Sequence, residues 1–147
     1  MAAGNLAVNL VTPKGVVAHT DADSVTAPGE LGEFELLPGH VPMLTALRPG
    51  VLVIGSAGRS SSAVPAGGAR RYAVSSGYLR VDPAGAVEIL VEQAVDVKDI
   101  DVDAAKNELK TAEAELTKWG DKAQDGEYTN LSQRAGWARA RVDAASH

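Results

Sequence analysis

The chain has 147 residues, 45% hydrophobic and 22% charged, the make-up of an ordinary globular protein. Its formal net charge of -5 argues against a dominant nucleic-acid or anionic-membrane surface, which needs clustered Lys and Arg. With no cysteine there is no disulfide framework and no thiolate chemistry, and with 4% aromatics the core must be built from Val, Leu, Ile and Ala.

The start, Met1 to Leu6, lacks the charged and apolar regions of a secretory signal. No stretch approaches the uninterrupted apolar run of about 18 residues that a membrane helix needs. Any membrane association is therefore expected to go through a partner.

Over the first 95 or so residues, turn signals recur at Pro13-Lys14-Gly15, Pro28-Gly29, Pro38-Gly39, Pro49-Gly50, Gly67-Gly68, Ser76-Gly77 and Pro83-Ala84-Gly85. Short aliphatic runs lie between them. Alternation in Leu6-Ala7-Val8-Asn9-Leu10 puts Leu6, Val8 and Leu10 on one face of a strand. Val51-Leu52-Val53-Ile54 is apolar throughout, as a strand covered on both faces would be. Tyr72-Ala73-Val74, Tyr78 to Val81 and Val87 to Val91 add further strands. Eight to ten short strands are expected, arranged as a sandwich or barrel. Few intervals are long enough for crossover helices, so the sheets are expected to be antiparallel.

The period changes after Ile100. Val102, Ala105, Leu109, Ala112, Leu116 and Trp119 follow at alternating steps of 3 and 4, a helical seam, and Asp101 is placed to cap it. The polar stretch from Gly120 to Glu127 makes a turn. Tyr128, Leu131, Ala135, Ala138, Val142 and Ala145 then repeat the same steps. Two matched seams joined by a short link predict an antiparallel helical hairpin. The whole reads as α+β: an antiparallel β-sandwich over residues 1–95, then a two-helix hairpin over 96–147.

Five of the twelve seam positions are alanine, so the seam buries little apolar area. Gly136 weakens the second helix by about 1 kcal/mol relative to Ala. The hairpin is expected to open or re-dock at modest cost. Residues 99–118 carry six acidic side chains against three lysines, whereas 128–147 carry Arg134, Arg139 and Arg141 against Asp143. Opposite signs favour side-by-side pairing and leave the second helix able to seek an acidic partner.

Catalytic signatures are missing. The glycine-rich stretch 55–71 has no Gly-Lys-Ser/Thr of a phosphate-binding loop and reads as a hairpin loop around Ser60-Ser61-Ser62. His19, His40 and His147 have no second metal ligand at a useful spacing. No serine sits in a nucleophile elbow. Glu33 and Glu35 would share one strand face, but as a solvated edge rather than a glycosidase pair. The residues thus define an interaction protein, against two alternatives: a stand-alone small-ligand-binding sandwich and a hydrolase of unrecognised type.

The segment from Pro28 to Gly50, with Phe34-Glu35-Leu36-Leu37-Pro38-Gly39-His40-Val41-Pro42-Met43-Leu44 at its centre and Leu47-Arg48-Pro49-Gly50 at its end, resembles the signature of ATP synthase epsilon subunits. Leu6 to Pro13, Tyr72 to Leu79, Val91-Glu92-Gln93-Ala94 and Ile100 to Lys106 resemble successive strands and the first C-terminal helix of that family, so the likeness covers nearly the whole chain. The mitochondrial delta subunit is the equivalent protein. The resemblance implies a non-catalytic rotor subunit of a proton-translocating ATP synthase. Its sandwich would bind gamma and rest on the c-ring, with Glu33, His40 and Pro42 as candidate rotor-interface residues. Its hairpin would inhibit ATP hydrolysis by reaching the alpha/beta head through Arg134, Arg139 and Arg141. The implied location is peripheral, on the cytoplasmic face of a bacterial plasma membrane or the matrix side of the mitochondrial inner membrane. The sequence departs from the family at Glu35, where glycine is usual. It departs again at Ala104, which occupies the arginine position of the I/L-D-x-x-R-A motif by which some members bind ATP. No cofactor is expected, because that cation would supply the phosphate contact.

Overall fold

The computed structural model describes residues 6–39, 41–56, 69–119 and 126–145. Nine strands come first: β1 (Leu6–Thr12), β2 (Gly15–Gly29), β3 (Gly32–Leu36), β4 (Met43–Leu47), β5 (Gly50–Ser56), β6 (Ala69–Val74), β7 (Gly77–Val81), β8 (Ala86–Val91) and β9 (Ala94–Asp96). A 3₁₀ turn at Val97–Asp99 leads to α1 (Val102–Trp119) and α2 (Gly126–Ala145). The serine-rich part of the 55–71 stretch falls outside the described residues; Gly55 closes β5, and Arg70 and Arg71 belong to β6.

The strands form two layers that share β2. Its first half pairs with β1, which continues through β8 and β7 to β4. Its second half pairs with β3 and β5, and β5 continues through β6 to β9. The register shifts between Ala22 and Ser24, where β2 passes from one layer to the other. Gly29 opposite Leu47 ties β2 to β4 as well. Among the described strands every pairing is antiparallel except one: β1 lies parallel to β8. The antiparallel reading misses this pair because β1 and β8 are far apart in sequence, and the intervening strands, rather than a crossover helix, make the connection.

Alternation builds the core. Leu6, Val8 and Leu10 point inward with Val25, Leu36, Leu52, Ile54, Tyr72, Val74, Leu79, Val87 and Ile89, all essentially inaccessible to solvent. This supplies the aliphatic core that the composition demands. Val51, on the opposite side of β5, packs against Ala73, Ala140, Ala144, Ile100 and Trp137. The continuous apolar run Val51 to Ile54 is explained: one face of β5 meets the sandwich core and the other meets α2.

Both predicted seams face inward in the hairpin. Ala105 and Ala112 of α1 and Leu131, Ala135 and Ala138 of α2 are buried, with Leu116 and Trp119 half-buried beside them. Asp101 caps α1: its carboxylate accepts from the Ala104 N–H at 3.1 Å. Arg139 pairs with Glu113 and Arg141 with Glu108, so the two helices run antiparallel and their opposite charges meet. At the turn end the rings of Trp119 and Tyr128 lie 6.0 Å apart and tilted.

Candidate functional site

The two layers differ in what covers their outer faces. On the β3–β2–β5–β6–β9 layer, α2 lies over β5 and β6, with Ala140 and Ala144 buried against Ala73 and Val51. Small residues on both sides let the helix backbone come close. At Gly136 an added Cβ would stand 3.2 Å from Cγ of Pro49, in the turn between β4 and β5. Two open clefts flank α2. One, of about 730 Å³, is lined by Glu30, Ser75, Tyr78, Gln93, Arg134 and Trp137 among others. The other, of about 580 Å³, is lined by Glu33, Arg48, Arg71, Arg139 and Asp143 among others. Pro49 borders both.

Among the described residues no helix lies over the β2–β1–β8–β7–β4 layer. Its outer side chains form rows fixed by strand register. Val16, Val11, Leu90, Tyr78 and Ala46 stand in sequence across five strands. Three of these large apolar side chains are well exposed: Val16 at 66%, Tyr78 at 58% and Leu90 at 49%. The next row is His19, Asn9, Glu88, Arg80 and Leu44. It is self-satisfied: His19 hydrogen-bonds Asn9, and Arg80 pairs with Glu88. The hydrogen bond to Glu88, reinforced by its charge, holds the Arg80 guanidinium above its usual pKa. An apolar row beside a satisfied polar row on an uncovered sheet is the anatomy of a protein-docking surface.

The sequence-derived site residues are dispersed. Glu33 is exposed on edge strand β3 and borders the smaller cleft. Glu35 is exposed on the same side of that strand, as the alternation requires. Pro42 is exposed just before β4, and His40 lies outside the described residues. Arg134 is exposed and borders the larger cleft, outside the two interhelical ion pairs that engage Arg139 and Arg141. Ala104 is half-buried in the first turn of α1. The heptad seam does not report the second stripe of α2, formed by Trp137, Ala140 and Ala144. Those residues follow at steps of 3 and 4 and would have revealed it.

No set of three His, Asp or Glu among the described residues is arranged to hold a metal ion. Ser75, the one polar residue buried as a whole among the described residues, accepts a hydrogen bond at 2.8 Å from the Gln93 backbone N–H, a structural task. No described helix is long and apolar enough to cross a membrane. Fold and surface together define a strand-built docking module with a helical hairpin laid on one face.

Residues 5–97 match the family model for the ATP synthase delta/epsilon chain β-sandwich domain. The chain is 37% identical over 140 residues to the ATP synthase epsilon chain of Geobacter metallireducens, covering 95% of this chain and 91% of that one. It is 33% identical to the epsilon chain of an Anaeromyxobacter species, covering 95% and 97%. Among solved structures, a chain of the Euglena gracilis mitochondrial ATP synthase OSCP/F1/c-ring assembly superposes with a TM-score of 0.73 at 21% identity, over 98% of this chain and 82% of the other. A chain of the Tetrahymena thermophila central stalk/c-ring assembly superposes at 0.62 and 22% identity, over 95% and 96%. The chain belongs to the ATP synthase delta/epsilon family and is a non-catalytic subunit.

Proposed function

We propose that this chain is a central-stalk rotor subunit that couples gamma to the c-ring, with residues 1–95 as the coupling module and 96–147 as a regulator of ATP hydrolysis. The observation that carries the reading is the asymmetry of the sandwich. One outer face is occupied by the chain's own helix; on the other Val16, Leu90 and Tyr78 are exposed, with half-buried Val11 and Ala46 completing the row, whose Tyr78 end borders the cleft beside α2. The uncovered face docks on gamma, where burial of Tyr78 and Leu90 supplies the apolar centre of the contact. Glu33, His40 and Pro42 serve the rotor interface toward the c-ring. Relatives from central stalk/c-ring assemblies with the same fold support this assignment. Membrane association follows from the complex, on the cytoplasmic face in a bacterium.

Regulation rests on the hairpin. Its attachment to the sheet buries alanines and a glycine, with Trp137 as the one large side chain of α2 in the contact and only partly covered, so we take the docked and undocked states to differ by about a few kcal/mol. With the hairpin docked, Arg134 is the arginine left to meet an acidic loop of the alpha/beta head. Arg139 and Arg141 reach such a loop only by giving up Glu113 and Glu108.

The test is truncation after Asp96, which keeps β9. The truncated chain is expected to remain bound to gamma in a pull-down and to raise ATP hydrolysis by the assembled complex. Unchanged hydrolysis would remove the regulatory role, and loss of gamma from the pull-down of the full chain would remove the coupling role.

A further inference from the structure

Gly136 stands in the interior of α2, where glycine is the poorest helix former after proline. The seam toward α1 does not need it, since Ala135 and Ala138 are the buried seam residues on either side. The neighbour it faces is Pro49. An added Cβ would lie 3.2 Å from its Cγ, tighter than most such contacts, and 3.4 Å from its Cβ, so the ring would have to give by a few tenths of an ångström. The Pro49 ring holds its backbone φ and can relax only through its pucker, so it yields less than a long flexible side chain would. It also borders the clefts on both sides of α2, so at this level the helix rests on a narrow ridge.

We propose that the contact of Gly136 with Pro49 is the seat that sets the balance between docked and undocked hairpin, an inference that rests on the regulatory reading above. A side chain at position 136 strains the docked state by overpacking against Pro49, whereas its gain in helix propensity is shared by both states, because position 136 is interior to α2 in each. Glycine at this position therefore favours the docked arrangement. Trp137, next in the chain and packed with Ala73, Ala140 and Ala144, reports which state is populated.

The experiment uses the full chain with Trp119→Phe, which leaves Trp137 as the single tryptophan. Acrylamide quenching measures its exposure, and far-UV circular dichroism measures helix content. Gly136→Leu is expected to shift the docked-to-undocked ratio at least about tenfold, with Trp137 becoming readily quenched and the helical signal kept or increased. Gly136→Ala shifts it in the same direction by less, and adding Pro49→Ala to Gly136→Ala returns the quenching to that of the parent. Parent-like quenching in a helical Gly136→Leu chain overturns the seat. So does a Gly136→Ala effect that Pro49→Ala does not relieve, and this second comparison decides the matter if Gly136→Leu loses helix. ATP hydrolysis by the assembled complex is read separately. An exposed Trp137 with unchanged hydrolysis upholds the seat and removes the regulatory reading.

Discussion

Arg141 lies over the ring of Trp137, its guanidinium carbon 5.2 Å from the ring centroid, while the same guanidinium pairs with Glu108 on α1. One side chain thus ties together the helix that rests on the sheet, the tryptophan beneath it and the helix stacked outside. Its side chain is only 15% exposed, whereas that of Arg139, paired with Glu113, is 59% exposed.

The difference in exposure sets the first expectation. Arg141→Ala is expected to destabilise the hairpin by about 1–2 kcal/mol, chiefly through the lost cation–π contact and packing of its covered side chain, since its partner Glu108 is itself exposed. Arg139→Ala is expected to change stability by about 0.5 kcal/mol or less, because an exposed pair is screened by water and salt. Urea unfolding followed by circular dichroism in the helical band measures both. Equal losses would show that burial does not separate the two pairs.

The uncovered sheet face gives the second. Tyr78→Asp and Leu90→Asp leave the fold intact, since both side chains already stand in solvent, and each is expected to change the melting temperature little. Each is expected to weaken binding to gamma by about 2 kcal/mol, the scale of an apolar anchor at an interface. Titration calorimetry of the variants against gamma provides the measurement. Undiminished affinity would place the contact elsewhere.

Two glycines with opposite surroundings give the third. At Gly77 an added Cβ would stand 2.0 Å from the Leu90 carbonyl oxygen, a backbone atom locked in the β7–β8 pairing. Gly77→Ala must push the strands apart and is expected to cost about 3 kcal/mol or prevent folding. Gly126, at the start of α2, faces open space, and Gly126→Ala is expected to be neutral or to stabilise by up to about 1 kcal/mol. Expression and thermal unfolding of the two variants side by side make the comparison.

Capping gives the fourth. The Asp101 carboxylate meets the Ala104 N–H at the start of α1. Asp101→Ala is expected to cost about 1 kcal/mol and Asp101→Asn much less, because the amide oxygen can still accept. Amide exchange over the first turn of α1 should quicken in the alanine variant alone. An equal acceleration in both would point to the charge, through the helix dipole, rather than to the hydrogen bond.

The amino-acid sequence by itself determined which residues share a face. The alternation of Leu6, Val8 and Leu10, the doubly apolar run Val51 to Ile54, both helical seams and the Asp101 cap are local patterns, set by the period of the backbone, and they appear in the structure where the periods put them. Only the tertiary structure decided what each face meets. That β1 lies parallel to β8, that Val51 is covered by α2 while Tyr78 is left to solvent, and that Arg139 and Arg141 find Glu113 and Glu108 all depend on elements distant along the chain. A period fixes direction relative to the local backbone, whereas a partner is chosen by packing the whole, and no short window of residues contains that choice.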